Sequence, residues 1–151
     1  MSGRVVTPVA SLSLKGRALR LLSQREHARA ELVRKLTPHE TSEGELARVL
    51  DELQAKGFLN ETRVVESLVH RRAPKLGAAR VRQELLAKGL SGQEVTDAVA
   101  ALQATEFDRA REVWLRKFGE PATDAAAYGK QMRFLVSRGF APDVVRRVLK
   151  A

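Results

Sequence analysis

Residues 45–53 read ELARVLDEL, and the apolar positions of this stretch decide the fold class. They are spaced i, i+3, i+4 and i+7, as on one face of an α-helix. The same stripe recurs twice at intervals of 49 and 50 residues. The three copies consist of Leu46, Val49, Leu50 and Leu53; of Val95, Ala98, Val99 and Leu102; and of Val145, Val148 and Leu149. No segment alternates as a strand would.

A period near 50 over most of a 151-residue chain predicts stacked supersecondary units. We predict an all-α fold of three tandem three-helix repeats, stacked into an elongated, curved, solenoid-like molecule. The predicted organisation is a mobile N-terminal tail at residues 1–13, and repeats at residues 14–59, 60–104 and 105–151. Such molecules expose an extended surface, which favours a binding function.

The sequence also marks where helices begin and end. Three helices are predicted to end on a cation, a glycine and an apolar residue, as in a Schellman motif. These endings are Lys56-Gly57-Phe58, Lys88-Gly89-Leu90 and Arg138-Gly139-Phe140. Three Ser-x-x-Glu patterns are predicted to open helices as capping boxes, and Asn60 as a simple N-cap. The patterns start at Ser23, Ser42 and Ser91.

The charge of the chain is basic and unevenly distributed. Twenty-seven Lys and Arg residues against 18 Asp and Glu give a net charge of +9 and a pI near 10.6. Residues 37–70 are acidic, with three basic and seven acidic side chains, whereas the flanking segments are basic. This balance favours a polyanionic partner. An ordinary solvated helical surface is the alternative.

The sequence offers little chemistry for catalysis. There is no Cys and there are three His, and the chain has no phosphate-binding loop, dinucleotide fingerprint or nucleophile elbow. His27 and Glu31 are spaced i, i+4, but we interpret them as a surface pair, since no third metal ligand is near. We therefore predict a protein that is not an enzyme and uses no cofactor or metal. Its longest apolar run is residues 98–102, too short for a membrane span, so we expect a cytoplasmic protein.

The basic residues are the best candidates for a binding site. Clustered Arg can bind phosphates or pair with the carboxylates of a protein, and the sequence leaves both open. The aromatic residues fit helical core spacing or helix ends, which argues against a protein that coats single strands. The candidate residues are Arg25, Arg29, Arg34 and Lys35 on the second helix; Arg71, Arg72 and Lys75 around Pro74; and Arg80 and Arg82 on the helix that follows.

Several stretches resemble one bacterial family. Residues 18–36, ALRLLSQREHARAELVRKL, are similar to the opening signature of the RecX regulatory proteins. The segment GFLNE at residues 57–61, the pair Arg71-Arg72, and residues 77–90 follow in the family's order. The resemblance covers roughly residues 14–151. One departure is that the family tends to have an acidic pair and then an aromatic residue where this chain has Asn60, Glu61 and then Val64.

The resemblance implies a function in DNA repair and the SOS response. It implies a crescent of three-helix repeats that lodges in the groove of the filament of RecA on single-stranded DNA. There it would inhibit ATP hydrolysis, strand exchange and co-protease activity, and favour filament disassembly. We expect a monomer whose contacts with single- or double-stranded DNA are weaker and made within the filament.

The alternative function is a helical nucleic-acid-binding protein that acts independently of RecA. The charge of +9 and the helix-turn-helix appearance of residues 28–36 and 42–56 motivate it. A helix that reads a DNA groove would be rich in Arg, Asn or Gln. The second of these helices is instead acidic, with Glu43, Glu45, Asp51 and Glu52, which counts against this alternative.

Overall fold

The computed structural model describes residues 12–150, which form nine α-helices and one short 3-10 turn at Thr37–His39. Most of the predicted tail, residues 1–11, lies outside the described residues. The all-α prediction is confirmed. The helices are α1 (Leu14–Gln24), α2 (Arg29–Leu36), α3 (Glu45–Ala55), α4 (Glu61–Arg72), α5 (Ala78–Ala87), α6 (Gln93–Ala104), α7 (Glu106–Lys117), α8 (Ala125–Ser137) and α9 (Pro142–Lys150).

The chain divides into two compact units, with the boundary inside α4 between Val64 and Val65. The core of unit 1 is a leucine cluster contributed by α1, α2 and α3. The predicted stripe of α3 points into this cluster, where Leu50 and Leu53 are fully buried. The buried members are Leu14, Ala18, Leu32, Leu36, Leu46, Leu50, Leu53 and Leu59.

In unit 2, α7, α8 and α9 share a second core. Trp114 and Phe140 supply its aromatic bulk, and the stripe residues Val145 and Val148 of α9 close it. The Trp114 indole N–H donates to the side-chain oxygen of Gln131 at 2.9 Å, so its polar atom is satisfied inside the core. The buried members are Ala110, Val113, Trp114, Leu135, Phe140, Val145 and Val148.

The predicted Schellman endings are confirmed. Gly57, Gly89 and Gly139 have positive φ angles of 83°, 83° and 92°. The residue after each glycine donates its N–H to the carbonyl of the leucine at C3, at 2.9, 3.1 and 3.3 Å. A left-handed residue at these positions lets the chain reverse while the last carbonyls of the helix stay bonded.

The predicted capping box at Ser23 is wrong. Ser23 lies inside α1, where its hydroxyl donates to the carbonyl of Arg20 at 2.7 Å. The next helix begins at Arg29, and the Glu31 carboxylate accepts from the N–H of its N-cap residue Ala28 at 2.9 Å. The Ser-x-x-Glu pattern spans the end of α1 and the loop after it, so the pattern alone did not locate the start of α2.

The predicted starts at Ser42 and Ser91 are also wrong, whereas Asn60 is confirmed. Gly44 and Gly92, with φ of 79° and 88°, are the N-caps of α3 and α6. A glycine can turn the chain into the helix there without a side-chain acceptor. Asn60 caps α4, because its Oδ1 accepts from the N–H of Arg63 at 3.0 Å.

His27 and Glu31 are buried, which corrects the prediction of a surface pair. Their exposed fractions are 1% and 3%. The ring nitrogen Nδ1 of His27 lies 2.9 Å from the carbonyl of Arg25, and Glu31 forms an ion pair with Arg25 at 2.9 Å. Burial lowers the pKa of His27 below its usual 6.5, and the hydrogen bond with the Arg25 carbonyl opposes this.

Candidate partner-binding groove

The loop between α4 and α5 is fixed in place by two arginines of α7. The Arg109 guanidinium donates to the carbonyls of Ala73 and Leu76 at 2.9 and 2.6 Å, and Arg116 donates to that of Pro74 at 2.9 Å. These carbonyls lie beyond the end of α4, in the loop, and the two guanidinium groups supply hydrogen-bond donors to them. Burial lowers the pKa of Arg109, and the Glu106 carboxylate opposes this shift.

A buried carboxylate on α7 holds the starts of α5 and α9. Glu106, 4% exposed, accepts from the backbone N–H groups of Ala78 and Ala141, each at 2.8 Å. These N–H groups belong to the starts of α5 and α9, where the helix dipole favours a negative charge. Arg109 lies 3.8 Å from the same carboxylate. One side chain thereby ties α7 to two other helices.

A close backbone contact brings the end of α8 to the start of α5. The N–H of Gly77 donates to the carbonyl of Arg138 at 2.8 Å. Gly139 packs against the backbone of Arg80, and neither Gly77 nor Gly139 has space for a Cβ atom. Arg138 is therefore placed beside the loop at Pro74, although 64 residues separate the two in sequence.

These contacts create an open groove in unit 2, which we call the basic groove. Its volume is about 410 Å³. Apolar side chains from α7, α8 and the α4–α5 loop form part of its wall, and cations surround them. The lining residues are Arg72, Lys75, Leu76, Val113, Arg116, Lys117, Phe134 and Arg138.

The basic groove has a strongly positive lining. Of its eight lining residues, five are cations and none is acidic. Arg72 uses its Nε to pair with Glu84 at 3.0 Å. Lys117 Nζ and Arg138 Cζ lie 5.2 and 4.7 Å from the ring centroid of Phe134, within the range of cation–π attraction.

The structure separates the candidates that the sequence placed around Pro74. Arg72 and Lys75 line the basic groove, whereas Arg71 is exposed on α4 and does not line it. Arg80 donates to the carbonyl of Ser137 at 3.1 Å. Arg82 lines a different depression, next to Leu86 and Val95. The five cations do not form one cluster.

The candidates predicted on the second helix lie in unit 1, but Arg25 is not on α2, because it is the C-cap of α1 and α2 begins only at Arg29. Arg25 pairs with Glu31, and Arg29 pairs with Asp51 at 2.8 Å and donates to Gln54 at 2.9 Å, so both are engaged within the unit. Arg34 and Lys35 are exposed, and Lys35 lines a shallow depression with Arg17 and Arg20.

The sequence reasoning missed three cations of the basic groove, namely Arg116, Lys117 and Arg138. The first two end α7 as a basic last turn, and the third is the cation of a predicted Schellman ending. Arg138 had been noticed only as a helix end, where a cation suits the dipole, and Arg116 and Lys117 had not been singled out at all. Their meeting with Arg72 and Lys75 depends on tertiary packing.

Metal ligands and membrane-spanning helices are two other features that a binding protein could have. Over residues 12–150, no three His, Asp or Glu side chains are grouped as metal ligands. No helix in the same part of the chain is long and apolar enough to cross a membrane.

Comparison with known proteins accounts for nearly the whole chain. Models of the first, second and third three-helix domains of RecX match residues 15–53, 60–99 and 104–149. The chain belongs to the RecX family.

Two relatives named regulatory protein RecX illustrate the similarity. The protein of Leptothrix cholodnii is 59% identical over 139 residues, covering 92% of this chain and 88% of its own. The protein of Ralstonia nicotianae is 49% identical over 143 residues, covering 95% and 90%.

Two solved structures share the fold. A crystal structure of regulatory protein RecX has a TM-score of 0.76 at 21% identity, covering 91% of this chain and 72% of that one. RecX from Lactobacillus salivarius has a TM-score of 0.74 at 18% identity, covering 91% and 92%. The RecX three-helix fold is therefore the fold of this chain.

Proposed function

We propose that this protein regulates RecA. In this proposal it binds the filament of RecA on single-stranded DNA, inhibits ATP hydrolysis, strand exchange and co-protease activity, and favours filament disassembly. Membership of the RecX family, whose relatives are named regulatory proteins, is the observation that carries the proposal.

The basic groove supports a binding function of this kind. Five cations surround an apolar wall, and two arginines and a buried carboxylate hold the groove's backbone in place. A preorganised site loses less conformational entropy when a partner binds. A positive surface also attracts an acidic or nucleic-acid-bearing partner, such as a nucleoprotein filament.

Other parts of the proposal follow from the same family. We expect the protein to act as a monomer in the cytoplasm, without catalytic activity of its own. Contacts with DNA would be made within the filament and would be weaker than contacts with RecA. The proposed repeats are residues 14–59, 60–104 and 105–151.

RecA's DNA-dependent ATP hydrolysis provides the test. The protein is added in substoichiometric amounts to RecA filaments, with single-stranded DNA in large excess over both. Because free DNA is abundant, competition for DNA cannot explain a loss of hydrolysis. We expect the hydrolysis rate to fall.

An unchanged rate would contradict the proposal. If the protein then bound single-stranded DNA alone with an affinity that falls steeply with salt, the RecA-independent DNA-binding function would replace it. A chain with Gly77→Ala, which is expected to be unstable, serves as the inactive control.

A further inference from the structure

The aromatic ring of the basic groove is already covered by its neighbours. Besides the cations Lys117 and Arg138, the ring of Phe118 meets Phe134 in an edge-to-face arrangement, with centroids 5.5 Å apart and an angle of 88°. Nucleic-acid sites that bind single strands offer an open aromatic face on which a base stacks. Phe134 would have to lose these contacts before a base could stack on it.

The apolar part of the groove is the second relevant feature. Leu76, Val113 and Phe134 give the groove an apolar wall, to which Val113 and Phe134 contribute from the edge of the core formed by α7, α8 and α9. A site that binds only phosphates would not use this apolar surface, because phosphate recognition needs cations and N–H donors. A volume of about 410 Å³ is within the range of sites that bury a small ligand or a few side chains. The lining thus suits a ligand that is both apolar and anionic.

We propose that the basic groove binds an acidic peptide segment of a protein partner, anchored by one large apolar side chain. This proposal rests on the proposed function in one respect, because the partner is taken to be RecA, the protein of the filament. The apolar side chain would enter between Leu76 and Val113. Flanking carboxylates would meet the cations at the rim.

The cations retain the donors that such a ligand needs. Arg116 uses Nη2 for the Pro74 carbonyl, and Arg72 uses Nε for Glu84, so each guanidinium keeps further N–H groups that these two bonds do not use. Lys75 and Lys117 are exposed at its edge. Arginine pairs with carboxylates in a bidentate geometry, which gives direction to the peptide as well as affinity.

Fluorescence polarisation with a synthetic peptide tests the proposal. The probe is a fluorescein-labelled eight-residue peptide of Asp and Glu with one central Phe, and its matched control has Ala in place of Phe. A labelled oligothymidylate of eight nucleotides is the nucleic-acid control. We expect the Phe peptide to bind at least about tenfold more tightly than either control at physiological salt, a difference of about 1.4 kcal/mol.

Two double variants locate the binding. Lys75→Glu with Lys117→Glu is expected to weaken the Phe peptide at least about tenfold. Arg146→Glu with Lys150→Glu makes the same charge change on α9, away from the residues that line the groove, and is expected to leave binding nearly unchanged. Circular dichroism of both variants checks that the helices are intact.

Three results would overturn the proposal: no peptide binding, equal binding of the Phe and Ala peptides, or tighter binding of oligothymidylate. The RecA assay separates this failure from that of the proposed function. If RecA is inhibited but the peptide does not bind, the groove assignment alone is wrong. If the peptide binds but RecA is not inhibited, the identity of the partner alone is wrong.

Discussion

Gly77 and Gly139 lie so close together that a Cβ atom on Gly77 would overlap the backbone of Gly139. Gly77 has an ordinary extended conformation, with φ of −79°, and needs glycine only for space. Gly57, by contrast, has φ of 83° and open space around its Cβ position. Substitutions at these two glycines therefore distinguish the cost of steric crowding from the cost of backbone strain.

We expect Gly77→Ala to lower the free energy of unfolding by about 3 kcal/mol or more, since the clash is with backbone that cannot rotate away. Gly57→Ala should cost only about 1 kcal/mol, the strain of a left-handed alanine. Urea denaturation of the two variants measures both values. Equal losses would show that the contact between α5 and the end of α8 is looser than described.

Glu106→Ala should destabilise unit 2 by about 3–5 kcal/mol. It would leave the buried N–H of Ala78 and the partly buried N–H of Ala141 without an acceptor, and the partly buried Arg109 without its nearby carboxylate. Glu112→Ala, on the exposed side of the same helix, should change stability by less than about 0.5 kcal/mol. Thermal melting compares them, and a similar effect in both would contradict the role of Glu106 as a double cap.

His27 should make the protein less stable in mild acid. Because burial lowers its folded-state pKa below 6.5, the unfolded chain binds the proton more tightly. The contribution of neutral His27 to the free energy of unfolding is fully present above pH 6.5 and is lost as the pH falls below that value. Each unit by which the pKa is lowered corresponds to about 1.4 kcal/mol.

Urea titrations at pH 7.5 and 5 measure this effect. The loss of unfolding free energy on acidification should be smaller in His27→Gln than in the unsubstituted protein. His70→Gln, at an exposed position on α4, is the matched control for the substitution itself. Parallel pH profiles for all three proteins would exclude His27 as the titrating group.

The functional prediction concerns the basic groove. Lys75→Ala with Lys117→Ala should raise the concentration needed for half-inhibition of RecA ATP hydrolysis at least about tenfold. Arg34→Ala with Lys35→Ala removes the same charge from unit 1 and is expected to raise it less than threefold, or roughly 0.6 kcal/mol. A larger effect of Arg34→Ala with Lys35→Ala than of Lys75→Ala with Lys117→Ala would show that the binding site lies in unit 1.

Much of the fold could be predicted because its signals are local. The spacing of Leu46, Leu50 and Leu53 determines which face of α3 is buried, whatever that face packs against. Gly89 ends α5 because a left-handed residue is needed there and glycine adopts it readily. The starts of helices were less predictable, because the N-caps of α3 and α6 are Gly44 and Gly92 and not the predicted Ser42 and Ser91.

The amino-acid sequence by itself determined the helices, three of their C-terminal ends, the excess of positive charge and the family resemblance, because each depends on local residue patterns or on composition and not on how distant segments pack. Only the tertiary structure decided which cations lie together. Arg72 and Arg138 share the basic groove because Gly77 and Gly139 allow two backbones to touch. Glu106 also holds the starts of α5 and α9, and Arg109 holds the loop that follows α4. Contacts of this kind join residues that are far apart in sequence, and no local pattern encodes them.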